Sequence, residues 1–151
     1  YYVAYGYLQQ SFAAGAVGQK DQHLNQALTW LDEVDRRHPQ PHAEVLALRG
    51  YVQMMHVAVD PAARGAEGTP VTMRTLQKAV AVDPENPRAH LLLGQMMWGV
   101  AQFFGQGTGD ACAEIDRAQA LFAATAQTDD IAPHWGRGHA AQLAARCARG
   151  E

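Results

Sequence analysis

The sequence has little net charge, few β-branched residues and no long apolar run, and each of these absences excludes a class of protein. Charged residues make up 18% of the 151 positions and the formal net charge is -3, so the chain has no general attraction for nucleic acid or anionic lipid. No apolar run approaches the roughly 20 residues that span a bilayer. Because apolar residues reach 48% and alanine is abundant, the composition favours a folded, helical protein.

The sequence also lacks a catalytic or nucleotide-binding pattern. The glycine cluster at 105–109 follows a helical segment and has no Gly-Lys-Ser/Thr ending, which excludes a phosphate loop. The acidic residues Asp32, Glu33 and Asp35 lie at the exposed end of a predicted helix, and they form no arrangement typical of a hydrolase. We therefore expect a protein that is not an enzyme and that needs no cofactor.

The chain begins Tyr1-Tyr2-Val3, without a methionine or a basic segment, so we expect any targeting peptide to be absent from these residues. This start predicts a processed or trimmed chain and favours an exported, periplasmic protein. A second interpretation is that the chain is a piece of a longer helical array, because Tyr1 lies inside a helical pattern.

There are only two cysteines, and the predicted helices place them close together. Cys112 lies near the start of the sixth predicted helix and Cys147 near the end of the seventh. If these helices are antiparallel and turn near Ile131, the two thiols are roughly level. We favour a disulfide, which stabilises by roughly 3 to 4 kcal/mol in the chain-entropy model. The alternative is a pair of reduced, buried thiols.

A proline turn followed by a helix start occurs twice. It runs from His38 to Gly50 and again from Asp83 to Gly94, at a spacing of 44 to 45 residues. Repetition at such a period is typical of arrays of helical hairpins, in which each repeat buries its apolar face against the next.

The apolar spacing predicts an all-α protein. Helices are expected over about 2–17, 21–38, 42–59, 69–83, 87–104, 110–128 and 133–149, with an irregular loop at 62–69. Asp21, Thr69 and Asp110 are predicted helix caps. The expected architecture is a right-handed stack of antiparallel hairpins in a single domain, with units at about 2–39, 40–84 and 85–128 and a capping helix at 133–149.

These hairpins resemble tetratricopeptide repeats, which carry a Leu-Gly pair in helix A, small residues in helix B and a closing proline. The matching positions are Leu93-Gly94 and Gly50 in the A helices, and Ala27, Leu31, Val34, Pro39, Leu76, Ala79 and Pro84 in and after the B helices. The usual 34-residue period is lengthened by inserts at 60–69 and 105–109. The tail, through Phe104-Gly105-Gln106-Gly107, Pro133-His134-Trp135-Gly136 and Cys147, is similar to small bacterial proteins of this type that are often exported.

The resemblance implies that the A helices line a concave groove. With Gly6, Gly50 and Gly94 as helix crossing points, the predicted groove residues are Tyr7, Gln10, Glu44, Tyr51, Met54, Arg88, Gln95 and Trp98. Aromatic, methionine and arginine side chains commonly anchor partners. The main prediction is a scaffold that binds a protein or peptide in this groove. In the alternative interpretation, Tyr51 and Trp98 are core residues, because a register error of one residue exchanges the faces.

Seven histidines and five methionines suggest a second function, a carrier of a small ligand or of copper or zinc. The runs Met54-Met55-His56 and Met96-Met97 carry soft ligands that suit Cu(I). Adjacent residues on a helix point about 100° apart, however, so such runs do not converge on one ion. Methionine more often fills an irregular core. We therefore expect no metal site and keep the carrier as the alternative function.

Overall fold

The computed structural model describes residues 1–125 and 131–150. Within these ranges the chain forms seven α-helices and no strand. They are α1 (Tyr2–Ala13), α2 (Val17–Arg37), α3 (Ala43–Val59), α4 (Pro61–Val82), α5 (Pro87–Phe103), α6 (Gly109–Ala124) and α7 (Arg137–Ala148). The all-α prediction is confirmed. None of these helices combines the length and the apolar character that crossing a bilayer requires.

The helices pack as consecutive hairpins, as the sequence predicts. The most extensive contacts are α1 with α2, α3 with α4 and α5 with α6, while α3 also packs on α5 and α7 packs on α6. Buried side chains fill the spaces between neighbouring hairpins. They include Leu8, Leu24, Leu31 and Leu48, then Leu76, Leu92 and Met96, and then Ile115, Phe122 and Leu143.

Gly50 and Gly94 allow the two helices of a hairpin to approach closely. A Cβ atom at Gly50 would collide with Leu76 of α4, and one at Gly94 would lie 2.9 Å from the carbonyl oxygen of Ala111 in α6. At Gly50 the Leu76 side chain would have to move, and at Gly94 the backbone of α6 would have to move. The repeated segment of the sequence therefore ends on glycine because of hairpin packing.

The loop predicted at 62–69 is wrong, because this segment forms the first turns of α4. Asp60 caps the helix by accepting a bond from the Ala63 N–H at 3.1 Å, and Pro61 occupies the first turn, where its missing N–H costs nothing. Gly68 lies against Val57 of α3, so glycine serves close packing here. The predicted start at Pro70 is instead a proline inside the helix.

The turn between the first two helices also differs from the prediction. α1 ends at Ala13 and α2 begins at Val17, so Asp21, the predicted cap, lies inside α2. Its carboxylate receives two bonds from the Arg64 guanidinium, at 2.6 and 2.8 Å. Asp110, also predicted as a cap, lies in the first turn of α6, and Thr108 occupies the cap position.

The segment before α7 is not helical. α7 begins at Arg137 rather than at Pro133, and the predicted end of the sixth helix at 128 lies outside the described residues. We call residues 131–136 the arm. The arm ends at Gly136, whose φ of 103° is unfavourable for residues with a side chain. A Cβ atom there would lie 2.8 Å from Cζ of Phe122.

Cys112 and Cys147 form a disulfide that joins α6 to α7, which confirms the predicted pairing. Both side chains are partly buried and pack on the cluster around Ile115 and Leu143. The disulfide therefore fixes the last helix, and with it the end of the arm, on the third hairpin.

Candidate functional site

A cleft of about 590 Å³ opens where α3 and α5 begin, α6 ends and the arm leads into α7. This volume lies in the range of small-molecule sites, roughly 300 to 1,000 Å³. The apolar part of the wall consists of Pro87, Phe122, Ile131 and Pro133. Ile131 is 90% exposed, so one large apolar residue of this wall lies open to water.

Arg88 forms the buried part of the cleft wall. It is only 8% exposed, and its Nη1 lies 3.3 Å from the Glu44 carboxylate, which balances its charge. The guanidinium also donates to the Pro133 carbonyl and lies over the rings of Phe122 and Trp135, at 5.6 and 5.4 Å from their centroids. Because a buried charge needs such partners, Arg88 holds the arm against α3 and α6.

Glu44 and Asn86 tie the beginnings of α3 and α5 together in the wall of the cleft. The Asn86 side chain donates to Glu44 at 2.8 Å and accepts bonds from the N–H groups of Arg88 and Ala89, which caps α5. The Tyr1 hydroxyl donates to Glu44 at 3.4 Å. Burial, and then the nearby Glu44 charge, raises the pKa of Tyr1, so this hydroxyl stays a neutral donor.

Arg137 stands on the other side of the cleft, at the start of α7. Its Nη2 donates to the Thr125 carbonyl at 3.0 Å, and its guanidinium lies 5.9 Å from the centroid of the Phe122 ring. The side chain is partly exposed. No side chain caps the beginning of α7. A cationic group and a helix N-terminus therefore lie together at this edge of the cleft.

Two histidines, His42 and His134, line the cleft. His42 caps α3, because its Nδ1 accepts a bond from the Glu44 N–H at 3.3 Å. This bond requires an unprotonated Nδ1, so the neutral ring carries its proton on Nε2. His134 belongs to the arm and is exposed at the cleft.

The arm inserts an indole among the aromatic residues of α1 and α3. Trp135 stacks on Tyr5, with ring centroids 5.7 Å apart and an interplanar angle of 13°, and its ring lies 5.8 Å from that of Tyr51. Tyr51 in turn contacts Phe12 at 5.9 Å. Part of the face that the sequence predicts as a groove is therefore covered by the arm.

The other predicted groove residues are dispersed. Trp98 is 4% exposed and packs on α6 and α7, where Arg146 lies over its ring, and Met54 is buried between α3, α4 and α5. Gln95 shares a hydrogen bond with His139, Tyr7 packs near His23 of α2, and Gln10 is exposed. Only Glu44 and Arg88 of the predicted set line the cleft.

Sequence reasoning missed Phe122, the arm and Arg137 as site residues. The signal for the arm was the Pro133-His134-Trp135-Gly136 run, since a proline and a glycine three positions apart disfavour a regular helix. Nothing in the local pattern indicated which neighbours the arm would contact. Among the described residues, no group of three or more His, Cys, Asp or Glu side chains could hold a metal ion.

No family model and no curated protein sequence matches the chain. A solved structure, the HusA haemophore from Porphyromonas gingivalis, is similar to it over 99% of this chain and 74% of that one, with a TM-score of 0.85 and 26% sequence identity. The neighbour is a carrier protein rather than an enzyme.

This similarity corrects two predictions. A haemophore carries a small ligand, so the predicted scaffold for a protein or peptide, and the predicted protein partner, are wrong. The physical reason lies partly in the arm, which covers aromatic residues that the groove was expected to present. The alternative prediction of a small-ligand carrier agrees with the finding.

Proposed function

We propose that this protein is a carrier of haem, a planar and largely apolar ligand, and that the cleft between α3, α5, α6 and the arm holds it. The observation that carries the proposal is the similarity of nearly the whole chain to a haemophore, at a TM-score of 0.85. At 26% identity the ligand can differ in detail. The cleft must therefore be tested for its own fit to haem.

The apolar wall suits one face or edge of a macrocycle. Phe122 offers an aromatic ring, and Pro87 and Pro133 add rigid apolar surface beside it. Ile131, in the same wall, is 90% exposed. Covering such a side chain with a ligand gains roughly 1.5 to 3 kcal/mol of hydrophobic free energy, which favours occupation of the cleft.

The histidines provide a ligand for the iron of the cargo. Histidine is a common axial ligand of haem. His42 would have to give up its cap on α3 to change tautomer, because binding iron through Nε2 needs the proton on Nδ1. His134 lies in the arm, outside any helix, and is exposed at the cleft. We therefore assign His134 as the iron ligand within this proposal.

The repeat type of the hairpins and the compartment of the protein are part of the same proposal. We infer that the hairpins are tetratricopeptide-like, in one domain with units at about 2–39, 40–84 and 85–128 followed by a capping helix. We also infer that the protein works outside the cytoplasm. The paired Cys112 and Cys147 support an oxidising compartment, and the haemophore neighbour supports the same placement.

Titration with haemin, followed at the Soret band, tests the proposal. We expect saturable binding at one haemin per chain, because this cleft combines apolar walls with an exposed imidazole. Ile131→Glu should weaken binding at least tenfold by placing a charge on the apolar wall. Absence of saturable binding by the wild-type protein would refute the proposal.

Phe103→Glu is the matched control for this experiment. Phe103 is also a large exposed apolar residue, at 82% exposure, but it lies at the far end of α5 from the cleft. This variant should bind haemin as the wild type does. Equal loss in both variants would indicate nonspecific adsorption of haemin to exposed apolar surface.

A further inference from the structure

The charges around the cleft are distributed unevenly. The acidic residues Glu44, Asp83 and Glu85 lie on the side formed by the start of α3 and the turn from α4 to α5. Arg137 lies on the opposite side, where the arm meets α7. A ligand with one anionic end and one apolar end would therefore meet a different environment in each of its two orientations.

The two arginines of the cleft are not equivalent. The charge of Arg88 is already balanced by Glu44 at 3.3 Å. Arg137 donates only to a neutral acceptor, the Thr125 carbonyl, and makes no ion pair among the described residues. Its guanidinium lies over the face of Phe122 and keeps further donors for an acceptor in the cleft.

The backbone of α7 adds to the positive potential at this edge. The first N–H groups of a helix have no intrahelical partner, and the helix dipole favours an anion near them. α7 has 12 residues, its cap position is Gly136, and no side chain of the described residues caps its first N–H groups. By contrast, His42 and Asn86 cap α3 and α5 at the same cleft.

A buried N–H group in the wall of the cleft also lacks an acceptor among the described residues. Arg88, which lines the cleft, is 8% exposed, and its Nε has no hydrogen-bond partner. A buried donor without a partner is rare in proteins and costs free energy. Among the described residues, the wall of the cleft therefore contains one buried donor, the Arg88 Nε, that no side chain or carbonyl satisfies.

We propose that Arg137 and the beginning of α7 form a carboxylate subsite, which binds an acidic arm of the ligand and places the apolar ring system over Phe122. The inference rests on the proposed function, since it specifies how the cleft orients haem by a propionate. Arginine suits this role because its planar fork matches a carboxylate with two hydrogen bonds. On the other side of the cleft, Arg88 and Arg117 are already paired with Glu44 and Glu85, so that side offers a carboxylate less.

The test compares haemin with haemin dimethyl ester, whose acidic arms are uncharged. Wild-type protein should bind haemin roughly tenfold more tightly than the ester, because a charge-assisted hydrogen bond is lost in the ester. Arg137→Gln should weaken haemin binding by about the same factor and leave ester binding unchanged. Arg137→Lys should restore part of the preference, since the ammonium keeps the charge without the fork.

Arg74→Gln is the control for the change in net charge, since Arg74 is an exposed residue of α4 outside the cleft, and it should alter neither affinity. Equal weakening of both ligands by Arg137→Gln would show that Arg137 only shapes the wall through Phe122, and would overturn the subsite. A wild-type protein that binds both ligands equally would overturn it too, while the carrier function would stand. If the wild type binds neither ligand, the proposed function fails and the subsite fails with it.

Discussion

The indole N–H of Trp135 donates to the Tyr1 hydroxyl at 2.9 Å, across 134 positions of the chain. The same hydroxyl donates onward to Glu44, so the arm is connected to α1 and to the start of α3 through one partly buried phenol. The Tyr2 hydroxyl donates to the Ile131 carbonyl and ties the other end of the arm to α1. The first and last helices are thus joined by the segment that forms one wall of the cleft.

Trp135→Ala should reveal how much the arm contributes to stability. The substitution removes the stacking on Tyr5 and Tyr51 together with the bond to Tyr1, so we expect a loss of roughly 2 to 4 kcal/mol in the free energy of unfolding. Trp135→Phe keeps most of the ring contact and should lose only about 1 kcal/mol. Denaturant unfolding measures both values. Equal stability of the alanine variant and the wild type would show that the arm is not held as described.

Gly136→Ala tests the turn that leads into α7. The φ of 103° and the contact with Phe122 both oppose a side chain, so we expect destabilisation of roughly 1 to 3 kcal/mol and weaker haemin binding. Gly138→Ala is the matched control, because it lies within α7 and its Cβ would meet open space. That variant should be neutral or stabilised by up to about 1 kcal/mol. Similar effects at the two positions would contradict the geometry of the arm.

Removal of the disulfide should lower the free energy of unfolding and leave the helical hairpins folded. The bond closes a separation of 35 residues, for which the chain-entropy model gives roughly 3 to 4 kcal/mol. Unfolding of the Cys112→Ser/Cys147→Ser protein, compared with oxidised and reduced wild type, measures this contribution. Reduced wild type should match the double variant. A wild-type protein that is insensitive to reductant would contradict the pairing.

Stability should fall when the pH drops below neutrality, because of His139 and His56. Burial lowers the pKa of His139, and burial, only partly offset by Asp21, lowers the pKa of His56. Between these lowered values and the unfolded value near 6.5, the unfolded chain binds more protons than the folded one. The free energy of unfolding is therefore highest above pH 6.5, where both imidazoles are neutral, and it decreases as the pH falls below that value.

The variant His139→Gln separates this effect from general acid denaturation. Glutamine can hydrogen bond with Gln95 but does not titrate, so the slope of the unfolding free energy between pH 7 and 5 should be smaller in the variant. Urea unfolding at several pH values gives the slope. An unchanged slope would show that His139 does not contribute.

The helices and their pairing were predictable because their signals are local. Apolar spacing identified the α3 and α5 segments, and Gly50 and Gly94 marked the points of close helix contact. The loop predicted at 62–69 is wrong because Gly65 and Gly68 are individually typical of loops and Pro70 is typical of the first turn of a helix. In the structure Gly68 packs against Val57, and the Asp60 cap starts the helix earlier.

The candidate site was less predictable because its parts are brought together by tertiary contacts. Phe122 and Arg137 come from different helices, and Trp135 meets Tyr5 far away in the chain. No local pattern records such contacts. Two of the predicted groove residues, Glu44 and Arg88, do line the cleft. The same helix register also predicted Trp98 as a groove residue, but the packing of α7 buries it.

Haemin carries a paramagnetic iron, so the broadening of backbone amide signals in NMR spectra tests the location of the site most directly. The account predicts that substoichiometric haemin broadens the amides of Phe122, His134 and Arg137 first, while amides of the exposed face of α2, such as Thr29, stay sharp. Broadening centred on α2, or uniform weak broadening of the whole spectrum, would contradict the claim that this cleft is the haem site.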